Sequence, residues 1–444
     1  MPAPQRQLSL TQTASLIIGT VIGSGVFLSL PIVARIGGSP LMSVLIWFLG
    51  GVLWIPQILI LAEMGTAYPI QGGAYYYLHK AGSPFLAFLY TWTAFLTSDT
   101  PTLTIVALGA MSALTFFSPL FGDWVIARVL ASTLIILLSF LHYRSVHTGG
   151  NLQIFLTIAK LTPLISIVLI GFFYFRSGNL SGVSAAAEDG SLFAVITAGI
   201  SSTLWSYAGF TNILYMAGEV KRPERTLPVA LIGSLAFVMI AYTLISLCTS
   251  AIVPFDDLVA ARGDFINPFL YLGVAAGIAG GIFAVAAFVS MIGVLSASIM
   301  VQPRLEFAIA RDGLFFSVFG HLHPKFLTPD YSIVIQSGLA IALFLLGDIE
   351  NLMGYFTLSY ALQNGLVYGA IFFLRRRPDY APTYRAPWWG FMAALAIVSQ
   401  IYIAAGTFLA YPAGGSLASL GLILSGMPIY FYYAHRRRTA RVLS

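Results

Sequence analysis

The chain has 444 residues, of which 58% are hydrophobic and only 9% charged, and its net charge is +6. A soluble domain carries roughly 25% charged residues, so this chain has too little polar surface to cover a water-soluble globule. The class that remains is an all-α membrane protein with many spans.

Taken in chain order, the apolar runs predict twelve transmembrane helices. They fall at about 10–36, 40–66, 83–117, 122–143, 150–176, 190–217, 226–252, 272–302, 331–347, 351–374, 389–410 and 415–434. Several exceed the roughly 20 residues that a spanning helix needs, which implies tilt or extension beyond the lipid. The first run shows no cleavage-site pattern and reads as part of the body of the protein, so no removable signal peptide is expected.

Lys and Arg set the orientation. With the N-terminus in the cytoplasm, the inner loops hold most of the 22 basic residues, among them Lys221, Arg222, Arg225, Arg304, Arg311, Arg375, Arg376, Arg377 and Arg436–Arg438. The outer side holds Arg35, Arg128, Arg176 and Arg262. This asymmetry fits an even number of spans with both termini cytoplasmic, in a multi-pass plasma-membrane protein. The positive charge is therefore a topology signal spread over many loops, and no nucleic-acid partner is expected. The run Arg436–Arg438 reads as a lipid-headgroup anchor. The single cysteine, Cys248, rules out an internal disulfide.

The organisation is one membrane domain, 1–444. Runs one to five (about 10–176) and six to ten (about 190–374) form two blocks of five, and runs eleven and twelve (about 389–434) lie outside them. Five is odd, so the second block enters from the opposite side. That is a five-plus-five inverted repeat. The inner connection from Tyr68 to Pro84 holds Gly72-Gly73 and Tyr75-Tyr76-Tyr77. It reads either as a short amphipathic helix at the headgroup level or as an aromatic interfacial loop.

The first run of each block is interrupted. Run one contains Gly23-Ser24-Gly25, and run six contains Ala208-Gly209 flanked by Trp205, Tyr207 and Phe210. Glycine lets the backbone leave the helix and lets a ligand approach it closely. Backbone freed from helical bonding inside lipid needs a partner, and a polar substrate is one. Amides that open the half-helix after Gly25 suit a carboxylate. Carbonyls that end the half-helix before it, such as that of Val21, suit an ammonium group. Helices 1 and 6 are thus expected to be discontinuous and to face each other across a zwitterion site. The alternative for a small-residue triplet is close helix packing. Trp205 reads as packing or as a gate, Tyr207 beside it joins the expected substrate-binding set, and Asn212 reads as a group able to satisfy freed backbone or, with Asp99, to line the side-chain pocket.

Lys160 lies about ten residues into run five, roughly 15 Å deep at 1.5 Å per residue. A charge there costs on the order of 3 kcal/mol on insertion scales and needs a partner. The expected arrangement is a tethered cation bridging the break carbonyls near Gly19 and a hydroxyl of run eight, such as Ser290, Ser296 or Ser298. A proton site and a plain ion pair are the other readings. Asp99, just before Pro101, either pairs with Lys160, faces the substrate or caps a helix break. Glu63, Glu219 and Glu306 fall at inner helix ends and read as salt-bridge or solvated residues. All six histidines map to inner loops or their edges, and no metal-ligand, protease or nucleotide motif appears. Neither a metal nor a cofactor is expected, and an enzyme is disfavoured.

Five stretches in order resemble the amino acid–polyamine–organocation superfamily, in its L-type amino acid transporter branch. They are Gly19–Phe27, Glu63–Tyr75, Gly218–Pro228, Arg304–Gly313 and Ile423–Phe431. The resemblance covers essentially the whole chain. It implies that amides near Ser24 and Gly25 hold the substrate carboxylate, and that carbonyls of Val21, Trp205 and Ala208 hold the amine. It also implies that Trp205 is an outer gate and that Lys160 replaces a coupling sodium ion. Ala208 stands where the family usually has glycine, which points to a small pocket. Animal members bind a heavy chain through a cysteine after span three. No cysteine lies at 118–124, so no disulfide-linked heavy chain is expected, and the partners are an amino acid substrate and membrane lipid.

The expectation is a sodium-independent exchanger of neutral L-amino acids working by alternating access. The alternatives are a proton-coupled symporter, a carrier of cationic amino acids or polyamines using Asp99, and a non-transporting receptor or scaffold.

Overall fold

Helix boundaries are set by local chemistry that the sequence already carries. Ser9 and Gln12 form a capping box that starts α1 (Leu10–Val21). Gly38 closes α2 (Ser24–Gly37) with φ 69°, and Ser39 with Pro40 then opens α3 (Pro40–Ala67). Ser83 and Pro84 open α5 in the same way.

The computed structural model describes residues 6, 8–70, 72–144, 147–182, 191–261, 266–273, 276–326, 328–345, 349–411 and 413–443, with backbone alone at Ser24, 147–155, 163, 276, 349–350, 413 and 436–443. Arg262 and the side chains of Ser24, His147 and Arg436–Arg438 thus lie outside the described residues.

After α3 come α4 (Gly73–Lys80), α5 (Pro84–Thr93), a π-helical turn (Ala94–Asp99), α6 (Thr100–Leu114), α7 (Trp124–Arg144) and α8 (His147–Phe173). Then follow α9 (Leu192–Tyr207), α10 (Asn212–Tyr215), α11 (Pro223–Ile252), α12 (Phe255–Ala260), α13 (Ala276–Val301) and α14 (Pro303–Arg311). The chain ends with α15 (Asp330–Leu343), α16 (Ile349–Leu374), α17 (Trp389–Ala410) and α18 (Ala413–Leu443). Among the described residues the only strand-like pairing is one isolated parallel bridge, Leu8 with Val220. Among the described residues eight helices are long and apolar enough to cross a membrane, or nine if α1 and α2, bent by 45° at their break, count as one span. The protein is an all-helical, multi-pass membrane protein.

The core sits where the two interrupted runs meet. α1 packs on α8, α11 and α13, whereas α2 packs on α9. α3 lies along α11, and α16 lies against α17 and the π turn. α4 forms as a helix, but it does not lie on the surface. Tyr75 and Tyr77 are buried, and α4 packs on α5, α10 and α16. The headgroup reading of these tyrosines gives way because three bundle elements cover them.

Candidate substrate site at two facing helix breaks

α1 stops at Val21. Ile22 is extended, with φ −77° and ψ 112°, and α2 restarts at Ser24. Gly23 has φ −159°, which is extended backbone open to any residue. Its missing Cβ matters for space, because a Cβ there would run into the Val294 side chain. At Gly25 a Cβ would come within 2.7 Å of the Ser206 Cα, so the start of α2 rests directly on the end of α9.

α9 ends at Tyr207 and Ala208 is extended. Gly209 has φ +117°, where L side chains are strained, and α10 begins at Asn212. A Cβ on Gly209 would stand 3.0 Å from the Thr20 carbonyl oxygen. The two breaks are therefore in contact. Only Gly209 needs glycine's backbone, since Ala208 holds an ordinary φ of −68°.

Two tyrosines tie the loosened backbone. The Tyr242 hydroxyl, from α11, is 3.1 Å from the carbonyl oxygens of both Val21 and Ser206. The Tyr360 hydroxyl, from α16, accepts from the Gly209 amide at 3.2 Å and meets Thr211 Oγ1 at 2.7 Å. These bonds answer the demand that buried backbone groups find partners. A carbonyl oxygen has two lone pairs, so that of Val21 keeps capacity for a second donor.

A cavity of about 40 Å³ opens between the breaks, room for only a few waters. Val21, Gly23, Gly25, Trp205, Ala208, Asp99 and Asn212 all line it. Tyr207 does not. It lies two residues and about 200° around the helix from Trp205, and its hydroxyl donates to the Trp47 carbonyl at 2.8 Å beside Tyr242. Its place in the predicted binding set is corrected to core packing. Ser24 opens α2 by its backbone.

Lys160 is fully buried, and its Nζ donates to the Gly19 carbonyl. On the α13 side it meets Gly293, where a Cβ would approach Nζ to 3.4 Å. The predicted hydroxyl partner is not found. Ser290 Oγ has no hydrogen-bond partner among the described residues, and Ser296 bonds His142 at 2.8 Å. His142 is thus buried in the last turn of α7.

Asp99 closes the π turn. Pro101 has no N–H, so the Thr97 carbonyl loses its helical donor, and Ser359 Oγ donates to it at 3.1 Å instead. Tyr355 similarly donates to the Leu96 carbonyl at 2.9 Å. The widened turn sets the Asp99 carboxyl into the cavity wall, with Oδ2 lacking a partner among the described residues. π-bulges recur at functional sites.

Several lining residues escaped the sequence reading. Val294 and Gln302 form an i, i+4, i+8 stripe on α13 and its continuation with Ser298, which the sequence offered only as a partner for Lys160, and Phe356 and Tyr360 form an i, i+4 pair on α16. Polar residues at that spacing inside very apolar runs were the available signal. Phe356 also meets Trp205 edge to face, with ring centroids 4.6 Å apart.

Beyond the cavity, on the side of the N-terminal segment, Glu63 at the end of α3 is fully buried. Arg375 grips it through two bonds of 2.7 Å, Tyr380 donates at 2.9 Å and the Ala386 amide at 2.8 Å. Leu8 straps the same side, its amide donating to Glu219 O at 2.9 Å and its carbonyl accepting from Lys221 N at 2.8 Å.

Two broken helices in contact within a multi-pass bundle, with a small cavity of mixed polar and apolar lining between them, suit the passage of a polar solute through a membrane. Residues 8–432 match the amino acid permease family. The chain belongs to that family, whose members are transporters and not enzymes, and amino acid transport is its function class. It is 29% identical to the serine/threonine exchanger SteT of Bacillus subtilis, over 98% of each chain. It is 26% identical to the mouse b(0,+)-type amino acid transporter 1, covering 97% of this chain and 88% of that one. It is 25% identical to the human cystine/glutamate transporter, covering 97% and 85%.

Proposed function

We propose that the chain is a sodium-independent exchanger of neutral L-amino acids that works by alternating access. The observation that carries this is the contact of the two breaks, with Lys160 bonded to the Gly19 carbonyl behind them. In this reading the amides at Gly23, Ser24 and Gly25 hold the substrate carboxylate, and the carbonyls of Val21, Trp205 and Ala208 hold its ammonium group. Asn212 and Asp99 face the side chain, and Trp205 shuts the outer side. In the same reading the Lys160 ammonium takes the role of a coupling ion, with Gly19 as its acceptor and Ser290 nearby on the same helix as Gly293. The small closed cavity and the serine/threonine exchanger among its relatives favour small substrates.

The topology that goes with it is twelve spans, five plus five as inverted repeats and two more, in the plasma membrane with both termini cytoplasmic. The sequence has one cysteine, Cys248, in α11, so the reading includes no disulfide-linked heavy chain. A second reading, a carrier of cationic amino acids, is favoured only by the free Asp99 oxygen in the cavity wall. Proteoliposome counterflow decides. The expected result is uptake of labelled serine or alanine that needs internal amino acid and persists when sodium is replaced by choline. Uptake that requires sodium, or that is restricted to arginine and lysine, contradicts the proposal.

A further inference from the structure

Two carboxyl groups lie at and beside the cavity with no ion-pair partner among the described residues. Asp99 lines the cavity and is 5% exposed, and its buried Oδ2 has no hydrogen-bond partner among the described residues. Glu306, on α14, is 0% exposed, and neither of its carboxyl oxygens has a partner there. Gln302 lies one helical turn before Glu306, lines the cavity, and accepts from Gln336 Nε2 at 3.2 Å.

The charged and titratable groups on the elements packed around α14 are engaged elsewhere. Arg304 donates to the Met300 carbonyl and faces Glu219 at 3.8 Å. On α15, Asp330 pairs with His321 at 2.7 Å and Tyr331 stacks on that imidazole. On α5, Tyr90 bonds Tyr215 at 2.7 Å. On α4, Tyr75 donates to Asp312 at 2.6 Å, His79 stacks on Tyr75, Tyr76 packs on Tyr68, and Lys80 pairs with Asp379 at 3.1 Å. The buried Tyr77 hydroxyl donates to neither acid, and α13 carries no titratable residue. A bare carboxylate at Glu306 would be an uncompensated buried charge, and a second at Asp99 would repel it. The neutral acid removes both penalties.

We propose that Glu306 is a proton-carrying site. Glu306 holds its proton while the cavity is closed. When the α14 side opens, its O–H bond breaks to leave a carboxylate and a hydronium ion in the entering water, and the bond re-forms before closure. Turnover is therefore limited at high pH, where too few molecules can close. This rests on the transport reading above and adds proton dependence to it.

The test is amino acid counterflow in proteoliposomes between about pH 5 and 8, comparing wild type with E306Q. Wild-type rate is expected to fall with rising pH, by up to about tenfold per unit beyond the midpoint for one proton. E306Q is expected to keep the acid-pH rate and lose the decline. A flat wild-type profile, or an E306Q profile that falls as wild type does, overturns the proposal. Should E306Q fail to fold, E306D is expected to shift the midpoint, and an unshifted midpoint overturns it equally. Counterflow with identical profiles defeats this proposal alone. No counterflow at any pH for any amino acid defeats the transport reading and this proposal with it.

Discussion

Residue by residue, the site depends on a few positions whose side chain, or lack of one, is fixed by its surroundings. Gly209 combines φ +117° with a Thr20 carbonyl 3.0 Å from where a Cβ would be. Gly209→Ala is expected to cost about 1–3 kcal/mol from the strained backbone alone, seen as a lower melting temperature and lost transport. A Gly209→Ala protein that melts and transports like wild type refutes this reading of the break. Lys160 gives the Gly19 carbonyl its donor from a fully buried position. Lys160→Ala leaves that acceptor bare, a loss of about 1–3 kcal/mol or roughly tenfold or more in transport. Undiminished counterflow by a folded Lys160→Ala protein removes Lys160 from the mechanism. Both positions were legible in the sequence, because glycine in a spanning run and lysine at mid-depth are each physically expensive. Tyr207 was misplaced because an aromatic beside a break looks the same whether it turns inward or outward, and only helix phase decides.

Whole elements move or hold as units, and the end beside the N-terminal segment is where they are bonded together. Glu63 on α3 meets Arg375 at the end of α16, and Tyr380 and Ala386 from the linker before α17 close over it. Breaking a buried ion pair from one side costs about 3–5 kcal/mol. Glu63→Gln should therefore open this end. In a Cys248→Ser background, a cysteine at the buried Thr66 is expected to be alkylated faster once Glu63→Gln is added, and an unchanged rate argues against a latch. Just outside, Arg377 and Lys80 both bond Asp379 and hold its carboxyl down at about 2. A lowered carboxyl contributes above its ordinary value of 3.8 and is lost only as pH falls toward about 2. Asp379→Asn is expected to leave the shape of the transport profile between about pH 5 and 8 unaltered, and a changed shape would contradict that. Eight long apolar helices and one bent pair are present among the described residues, and these were legible because long apolar runs leave little choice. The π turn at Ala94–Asp99 was not, since its signal is a carbonyl orphaned by Pro101 and rescued by Ser359, a partner 262 residues away.

At the scale of the molecule, the two interrupted runs are about 180 residues apart in the chain, yet Gly25 rests on Ser206 and Thr20 on Gly209. The sequence named both breaks but could not supply the hydroxyls of Tyr242 and Tyr360 that hold them, because those come from helices with no internal mark of their role. The central claim is that main-chain amides and carbonyls at these breaks grip both charged ends of one amino acid. Thermal melting of the purified protein with L-serine, serine methyl ester and N-acetylserine tests it most directly. The account predicts stabilisation by L-serine and by neither derivative, since each lacks one of the two charges. Equal stabilisation by all three would contradict it.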